Sequence, residues 1–551
     1  MTPTGRATAA SLAPVLLTAA VAATTIFYST PWGPWAGSDS VAYIEAARNL
    51  ANGRGLVIVQ ASGEVGLLGL RPPLYPLLLG GLGWLGVDFV QAARWLDAGL
   101  MGILIAAVGW GALVTLRQPV VAFTLCLALA ASPVIVGAYT GAMTEPLALS
   151  LGSVCLLLAI AHAQTGSTRQ LIGSAAMGSL ALLARYSGAV FPCVGMIILL
   201  SHPSVRLPRR LGAAATYAMV ALGPYALWVL ATGRGVATIG EFQLLQGGLW
   251  ESTRPLRAAA ATIPWKWIPF SEALGSVAYP IRLALLALLC GLVLGLLLMG
   301  FLKLRRSGPA TFGEMPAYRL ALAFVLLSLL SAVFVAAAYL LVEYPKPALD
   351  DRILSPVYLG AFVGGLAVLY LSIETLGSHR AAWVVPSTIA VLSILSDLPV
   401  TGQLLKDLHD EGRGYTARGW HNPGILDDVA VIPPSVPLIS NDVDAIMLYL
   451  DRPAYRIPEL ERRQLVGEFA RFGADSRDGV QRLFREEGAA LVLFGSIRGQ
   501  FIDLYGEKGD ARLLAFTEGL EVAADRWDGV IYYYPGVRKA GVDSLPLFLE
   551  E

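Results

Sequence analysis

About ten long apolar runs, separated by short turns rich in basic residues, fill the chain up to roughly residue 397. An apolar helix of about 20 residues matches the hydrocarbon thickness of a bilayer. The remaining stretch of about 150 residues has an ordinary mixture of polar and apolar residues. This pattern predicts a polytopic α-helical membrane protein with a soluble C-terminal domain.

Composition supports lipid as the solvent for most of the chain. Hydrophobic residues make up 55% and charged residues 15% of the 551 residues, and the mean hydropathy is +0.61. A soluble protein of this composition would expose large apolar areas to water. The 40 basic and 40 acidic residues cancel, so nothing indicates a nucleic-acid partner. The four cysteines all fall in apolar runs and predict neither a disulfide framework nor a metal site.

We predict eleven transmembrane helices, although the shorter runs leave open that one is re-entrant or merged with a neighbour. Their approximate bounds are 9–28, 94–115, 119–138, 146–163, 170–184, 187–201, 211–231, 279–301, 320–341, 353–373 and 381–397. The apolar stretch 74–85 is a candidate for an additional half-span.

Basic residues concentrate in alternate connections, which the positive-inside rule places in the cytoplasm. They are Arg6, Arg117, Arg169, Arg206, Arg209, Arg210, Lys303, Arg305, Arg306, Arg319 and Arg380. An odd number of spans then puts the long loops at about 31–93 and 232–278 on the extracytoplasmic side of a plasma or inner membrane. The domain expected at 398–551 emerges on the same side, after a membrane module at 1–397.

The first outer loop contains a short amphipathic segment at 40–50 that ends at Asn52-Gly53 and predicts an interfacial helix. Asp39 precedes this segment, in the position of an N-cap residue. A carboxylate at the rim of a hydrophobic bundle is also a candidate catalytic group. Both interpretations remain open from spacing alone.

Arg71 precedes Pro72-Pro73, and the fixed φ angles of the prolines hold the local chain rigid. A rigidly mounted guanidinium suits a phosphate ligand. The alternative is an interfacial arginine that reaches lipid headgroups.

Two further outer connections carry isolated charges. Thr144 and Glu145 come where a span begins, and helix capping and the helix dipole explain them locally. Arg185 interrupts an apolar stretch, where a cation is expensive unless it is paired; Asp39 and Glu145 are available partners. Arg352 enters a later span with Asp350 and Asp351 beside it, which indicates either a functional charge network or a structural ion cluster.

The order of these motifs resembles the GT-C superfamily of membrane glycosyltransferases, in the branch of bacterial protein O-mannosyltransferase-like enzymes and the lipid A aminoarabinose transferase. The resemblance covers about residues 10–400. It rests on Asp39 after the first span, Arg-Pro-Pro-Leu-Tyr-Pro at 71–76, Thr-Glu-Pro-Leu at 144–147, Ala-Arg-Tyr-Ser-Gly at 184–188 and Asp-Arg-Ile-Leu-Ser-Pro at 351–356.

The resemblance implies transfer of a sugar from a polyprenyl phosphate to an extracytoplasmic acceptor, which is a glycan, a lipid or a protein. It implies Asp39 and Glu145 as catalytic acids, with Asp39 as base, and Arg71 and Arg352 as ligands of the donor phosphate. We add Arg185 to the phosphate ligands because of its place at an outer turn. Candidates for a substrate groove are the aromatic and basic residues beside these motifs: Tyr43, Tyr75, Tyr344 and Lys346.

No cofactor is indicated. Many relatives carry paired acids in the first loop, whereas this chain has Ser38-Asp39-Ser40. A divalent metal is therefore not indicated there. The sequence also lacks a Gly-rich nucleotide loop and a recognisable Ser-His-Asp arrangement.

The tail alternates short apolar strands, such as 436–440, 489–494 and 529–534, with helical stretches at 444–451 and 464–472. It predicts a small α/β domain. Two other functions remain: a transporter or flippase of lipid-linked sugars, although internal repeats and mid-membrane charges are not evident, and a polymerase or ligase of surface polysaccharide.

Overall fold

A computed structural model describes residues 3–59, 64–68, 71–201, 206–233, 241–242, 253–271, 279–306, 316–344, 349–422, 424–460 and 474–536. The structure of these residues is mainly helical, and five of their nine strands form one sheet near the C-terminus. The predicted helix at 464–472 lies outside the described residues.

The helices, in chain order, are α1 (Pro3–Ser29), α2 (Ser38–Ala51), α3 (Leu74–Trp84), α4 (Phe89–Leu116), α5 (Pro119–Ala131), α6 (Pro133–Tyr139), α7 (Glu145–Thr165), α8 (Thr168–Ala184), α9 (Val190–Leu200), α10 (Leu207–Thr232), α11 (Arg254–Lys266), α12 (Tyr279–Arg306), α13 (Pro316–Leu341), α14 (Ser355–Thr375), α15 (His379–Asp410), α16 (Ile425–Val431), α17 (Val443–Leu450), α18 (Ala474–Glu486), α19 (Ile497–Tyr505) and α20 (Gly509–Thr517). The strands are β1 (Val57–Val59), β2 (Val65–Leu67), β3 (Glu241–Phe242), β4 (Val342–Tyr344), β5 (Leu438–Ser440), β6 (Tyr455–Arg456), β7 (Ala490–Phe494), β8 (Glu521–Arg526) and β9 (Gly529–Tyr533).

The chain divides into two compact units, each built from several segments. The helical unit comprises Met1–Pro34, Leu70–Tyr75 and Val90–Asp410. The mixed unit comprises Trp35–Gly69, Pro76–Phe89 and Glu411–Glu551. The first long loop thus belongs to the same unit as the C-terminal α/β region.

The helices confirm a polytopic membrane architecture, but their number differs from the prediction. Among the described residues, seven helices are long and apolar enough to cross a bilayer, or eight if the pair α5 and α6, bent by 60°, forms one span. We predicted eleven spans. Two predicted spans, at 170–184 and 187–201, correspond to the 17-residue α8 and to the segment Tyr186–Leu200, which are shorter than a full span. The predicted span at about 279–301 corresponds to the helix α12. The half-span expected at 74–85 is the short apolar helix α3.

Glycines allow α13 and α14 to pack at close range. A Cβ atom at Gly360 would lie 2.5 Å from the backbone nitrogen of Ser328, and one at Gly364 would lie 2.8 Å from that of Val325. Small residues commonly permit such backbone approach between membrane helices. This contact fixes α14, whose first turn follows Arg352.

The mixed unit contains a five-stranded sheet in the order β6-β5-β7-β9-β8. β5 runs parallel to β6 and β7, whereas β9 runs antiparallel to β7 and β8. Alternate residues of β7 enter two apolar clusters, with Val492 in one and Leu491 in the other. Helices therefore cover both faces, and the predicted α/β fold of the tail and its strands at 436–440, 489–494 and 529–534 are confirmed.

The helix predicted in the first loop is confirmed as α2, its position at the membrane interface stays a prediction, and the expected cap is wrong. Gly37 occupies the N-cap position, and its N–H donates to Ser40 Oγ at 3.1 Å. Because the helix already begins at Ser38, Asp39 lies inside its first turn and is exposed. The C-terminal stop at Asn52-Gly53 is as predicted.

Candidate functional site

A buried carboxylate meets two guanidinium groups in the helical unit. Glu145 is the first residue of α7 and is 3% exposed. Its Oε1 lies 2.9 Å from Arg185 Nη1 and 3.3 Å from Arg352 Nη1. These three side chains, the acid–arginine cluster, come from connections that are far apart in the sequence.

Local structure explains how each member reaches the cluster. Pro146, in the first turn of α7, suits a helix start, which places Glu145 where the helix dipole favours a negative charge. Arg185 follows the end of α8 in extended conformation, and Ser187 Oγ accepts from its Nε at 3.0 Å. Arg185 Nη1 also lies 3.4 Å from Thr144 Oγ1, the hydroxyl expected to cap α7. The structure therefore pairs Arg185 with Glu145, one of the two acids expected for it.

Arg352 is held by the turn that leads into α14. Its Nε lies 3.9 Å from Asp350 Oδ2, and Asp350 Oδ1 accepts from the backbone N–H of Ile353 at 2.8 Å. Asp351, the other acid beside Arg352, accepts from Trp267 Nε1 at 2.9 Å instead. The neighbouring acids therefore shape the turn, and Glu145 lies closer to the guanidinium than Asp350 does.

The cluster offers two guanidinium groups to an anionic ligand. Their two positive charges face one negative charge on Glu145 and one on Asp350, whose Oδ2 lies 3.9 Å from Arg352 Nε. The arginine side chains are 27% and 24% exposed, whereas that of Glu145 is 3% exposed. An anion that approaches from the open side therefore meets guanidinium groups, which suit phosphate geometry.

Asp97 is an acid that the sequence reasoning missed. It lies on α4, is 0% exposed, and neither of its carboxyl oxygens has a hydrogen-bond partner within the described residues. It interacts electrostatically with Glu145 and Tyr139. The signal was available, because an acid inside an apolar run is a candidate functional residue.

The other predicted site residues are distributed over both units. Arg71 lies in the turn before α3 and is half-buried. Tyr43 and Tyr75 are 6% and 0% exposed, so neither ring lines an open surface in this structure. Tyr344 ends β4, and Lys346 lies outside the described residues. Their assignment to a substrate groove stays a prediction.

The chain was compared with known proteins by sequence and by structure. No protein-family model matches it, and no curated protein sequence matches it. Among solved structures, it is similar to crystal structures of ArnT from Cupriavidus metallidurans. The structure bound to undecaprenyl phosphate matches with a TM-score of 0.49 and 17% identity over 95% of this chain and 99% of that chain. The apo structure matches with a TM-score of 0.49 and 18% identity over 94% of this chain and 97% of that chain.

Proposed function

We propose that this protein is a glycosyltransferase that moves a hexosyl or pentosyl group from a polyprenyl-phosphate donor to an acceptor on the extracytoplasmic side. The observation that carries the proposal is the acid–arginine cluster at the ends of apolar helices. A polyprenyl chain dissolves in the bilayer, so its phosphate lies at the membrane surface. Two partly exposed guanidinium groups at the ends of apolar helices suit that phosphate.

In this reaction the acceptor hydroxyl oxygen attacks the anomeric carbon, and the bond between that carbon and the phosphate oxygen breaks. The leaving phosphate keeps the electron pair. Arg352 and Arg185 stabilise its charge, and Arg71 is a third ligand on the strength of the motif resemblance. Charge stabilisation of this kind is commonly among the largest contributions to catalysis.

The acceptor proton passes to Asp39 in this proposal. A general base must reach the hydroxyl group, and Asp39 is exposed at the start of α2. Attack from the face opposite the phosphate gives an inverting reaction. Glu145 is buried and lies between two cations, which suits it to orient Arg185 and Arg352 better than to take a proton.

The test uses the purified full-length protein in lipid nanodiscs. Radiolabelled polyprenyl-phosphate sugars are supplied with a membrane extract, and the label is followed from the lipid donor into a product. We expect transfer by wild type, loss of transfer in Arg352→Ala, and normal transfer in Arg169→Ala, a control at an exposed site. If wild type transfers no label but moves labelled donor across proteoliposome bilayers, the protein is a flippase and the proposal is wrong.

We also propose that the mixed unit lies outside the cytoplasm in a plasma or inner membrane. The basic turns support this orientation. Cysteines introduced at the exposed positions Glu507 and Thr168 distinguish the two sides. An impermeant maleimide should label Glu507→Cys in intact cells and label Thr168→Cys only after lysis; the reverse pattern would overturn the orientation.

A further inference from the structure

We propose that the C-terminal α/β region positions the helix that carries Asp39, and that Arg48 is the positioning residue through which it does so. The inference deepens the proposed function and rests on it. All the residues that carry it belong to the mixed unit.

Arg48 lies in the last turn of α2 and binds the end of α17. Its Nη1 donates to the carbonyl of Met447 at 2.9 Å, and its Nη2 donates to the carbonyl of Leu448 at 2.5 Å. Nη1 also lies 3.5 Å from Asp451 Oδ1. The guanidinium therefore acts as a two-pronged donor on groups about 400 residues away in sequence.

This contact uses carbonyl groups at the C-terminal end of α17. The Met447 carbonyl also accepts the N–H of Asp451, the C-cap residue, at 3.1 Å. Carbonyls at this end of a helix carry the negative end of the dipole, so a cation there is favourable. The planar fork of arginine reaches two carbonyls at once, which lysine cannot do in the same geometry. The side chain is only 19% exposed, so water screens the interaction weakly.

The chain just before α2 is fixed to the same region by a second contact. Tyr415 N–H donates to the carbonyl of Ala36 at 2.9 Å, and Ala36 pairs with Gly414 as a parallel β-bridge. Tyr449, on α17, donates its hydroxyl proton to the carbonyl of Tyr415 at 2.8 Å. One helix of the α/β region is thus tied to both ends of the segment that contains Asp39.

Two fixed ends determine where a residue between them can lie. Asp39 is three residues after Ala36 and nine residues before Arg48, on a helix that begins at Ser38. Loss of the Arg48 contact removes the hydrogen bonds from α2 to α17 and allows α2 to shift, while Asn49 and Glu45 still hold it to β1. Displacement of a catalytic group by about 1 Å can lower the rate about 10²-fold. The Arg48 contact therefore keeps kcat high by holding Asp39 in place.

The experiment compares Arg48→Lys and Arg48→Met with Arg54→Met in the full-length protein. Arg54 is a matched control, because it is exposed, belongs to the same segment and contacts Asn49 Oδ1 at 3.4 Å. For each protein, kcat of sugar transfer, the Kd for a polyprenyl phosphate and the thermal unfolding midpoint are measured on monodisperse material.

We expect kcat to fall about 10- to 100-fold in Arg48→Met, and less in Arg48→Lys, with the donor Kd within about twofold of wild type. Arg54→Met should match wild type. A parallel loss of donor binding and turnover in Arg48→Lys, or wild-type kcat in Arg48→Met, would overturn the positioning role. If Arg48→Met does not fold, the comparison of Arg48→Lys with Arg54→Lys decides in the same way. Absence of transfer by wild type would instead reject the proposed function.

Discussion

Two of the acids that lie in first helical turns have very different surroundings. Asp39 and Glu145 each lie in the first turn of a helix, α2 and α7, where the dipole stabilises negative charge. Asp39 is exposed, whereas Glu145 is 3% exposed and contacts two arginines. The same local position therefore suits one acid to meet a substrate and the other to organise cations. Local sequence alone could not separate these roles.

The largest effect is expected for Asp39→Asn, which tests the exposed member of the pair. The change keeps the side chain's shape and removes its basicity, and a general base contributes about 10²- to 10⁴-fold. Loss of the favourable dipole interaction costs only about 0.3–1 kcal/mol at an exposed site. We expect transfer to fall by about that general-base factor, with normal folding and donor binding, as measured by label transfer and equilibrium binding.

Glu145→Gln is the control that makes the comparison informative. It should weaken the ion pairs with Arg185 and Arg352 and lower the thermal unfolding midpoint. We expect the loss of transfer to be equal to or smaller than that of Asp39→Asn. If Asp39→Asn transferred sugar at the wild-type rate while Glu145→Gln did not, the two roles would be reversed.

The next effect concerns the phosphate ligands. Arg352→Ala and Arg185→Ala each remove a charge-assisted contact, which typically contributes about 1.5–3 kcal/mol. We expect donor affinity to fall about 10- to 100-fold, at 1.4 kcal/mol per tenfold. Lysine should restore part of it, because the charge returns without the fork. Unchanged donor Kd and turnover in both alanine variants would remove the phosphate role from the cluster.

A smaller effect is expected from Gly414→Ala, which disrupts the β-bridge between Gly414 and Ala36 just before α2. Gly414 has φ +65°, and a Cβ atom there would lie 2.2 Å from the carbonyl oxygen of Ala36. A left-handed conformation alone costs a non-glycine residue about 1–2 kcal/mol, and the clash adds to that cost. We expect faster hydrogen exchange in α2 and a lower kcat, with unchanged donor Kd. Gly419→Ala is the matched control, because nothing lies within 4 Å of its Cβ position.

Periodicity predicted the elements better than it predicted contacts between distant segments. The presence of α2, its C-terminal end and the strands of the α/β region follow from local pattern, which also left Glu145 as one of two acids for Arg185. The approach of Arg352 to Glu145, 207 residues earlier in the chain (352 minus 145), does not. The sequence shows only the neighbours Asp350 and Asp351, so it gives no sign of this distant partner.

The N-cap of α2 and the role of Arg48 were missed for a related reason. A serine at the third helical position can reach back to an unpaired N–H, so glycine can occupy the cap. Arg48 looks like an ordinary charge on the polar face of an amphipathic helix. Its partners are backbone carbonyls, which every residue has, so no side-chain pattern marks them.

A pH dependence of the stability of α2 distinguishes the two units further. Burial raises the pKa of Glu45 from 4.5 to about 7, and Asp451 and Asp444 add to the rise, whereas the Val59 N–H and Arg48 oppose it. A raised pKa in the folded state contributes stability that is full below about pH 4.5 and is lost as the pH rises to about 7. At about 1.4 kcal/mol per pKa unit, the rise from 4.5 to about 7 amounts to at most ~3.5 kcal/mol.

Glu45→Gln should remove this dependence, because glutamine stays neutral and keeps an acceptor for the Val59 N–H, which Glu45 Oε1 now accepts at 2.5 Å. We expect hydrogen exchange in α2, corrected for intrinsic rates, to be slower in Glu45→Gln than in wild type at pH 8 and equal to it near pH 4.5. Donor affinity, which we assign to the helical unit, should not change at either pH. If hydrogen exchange in α2 rises with pH equally in both proteins, Glu45 is not the source of the pH dependence. A changed donor affinity in Glu45→Gln would contradict the assignment of donor binding to the helical unit.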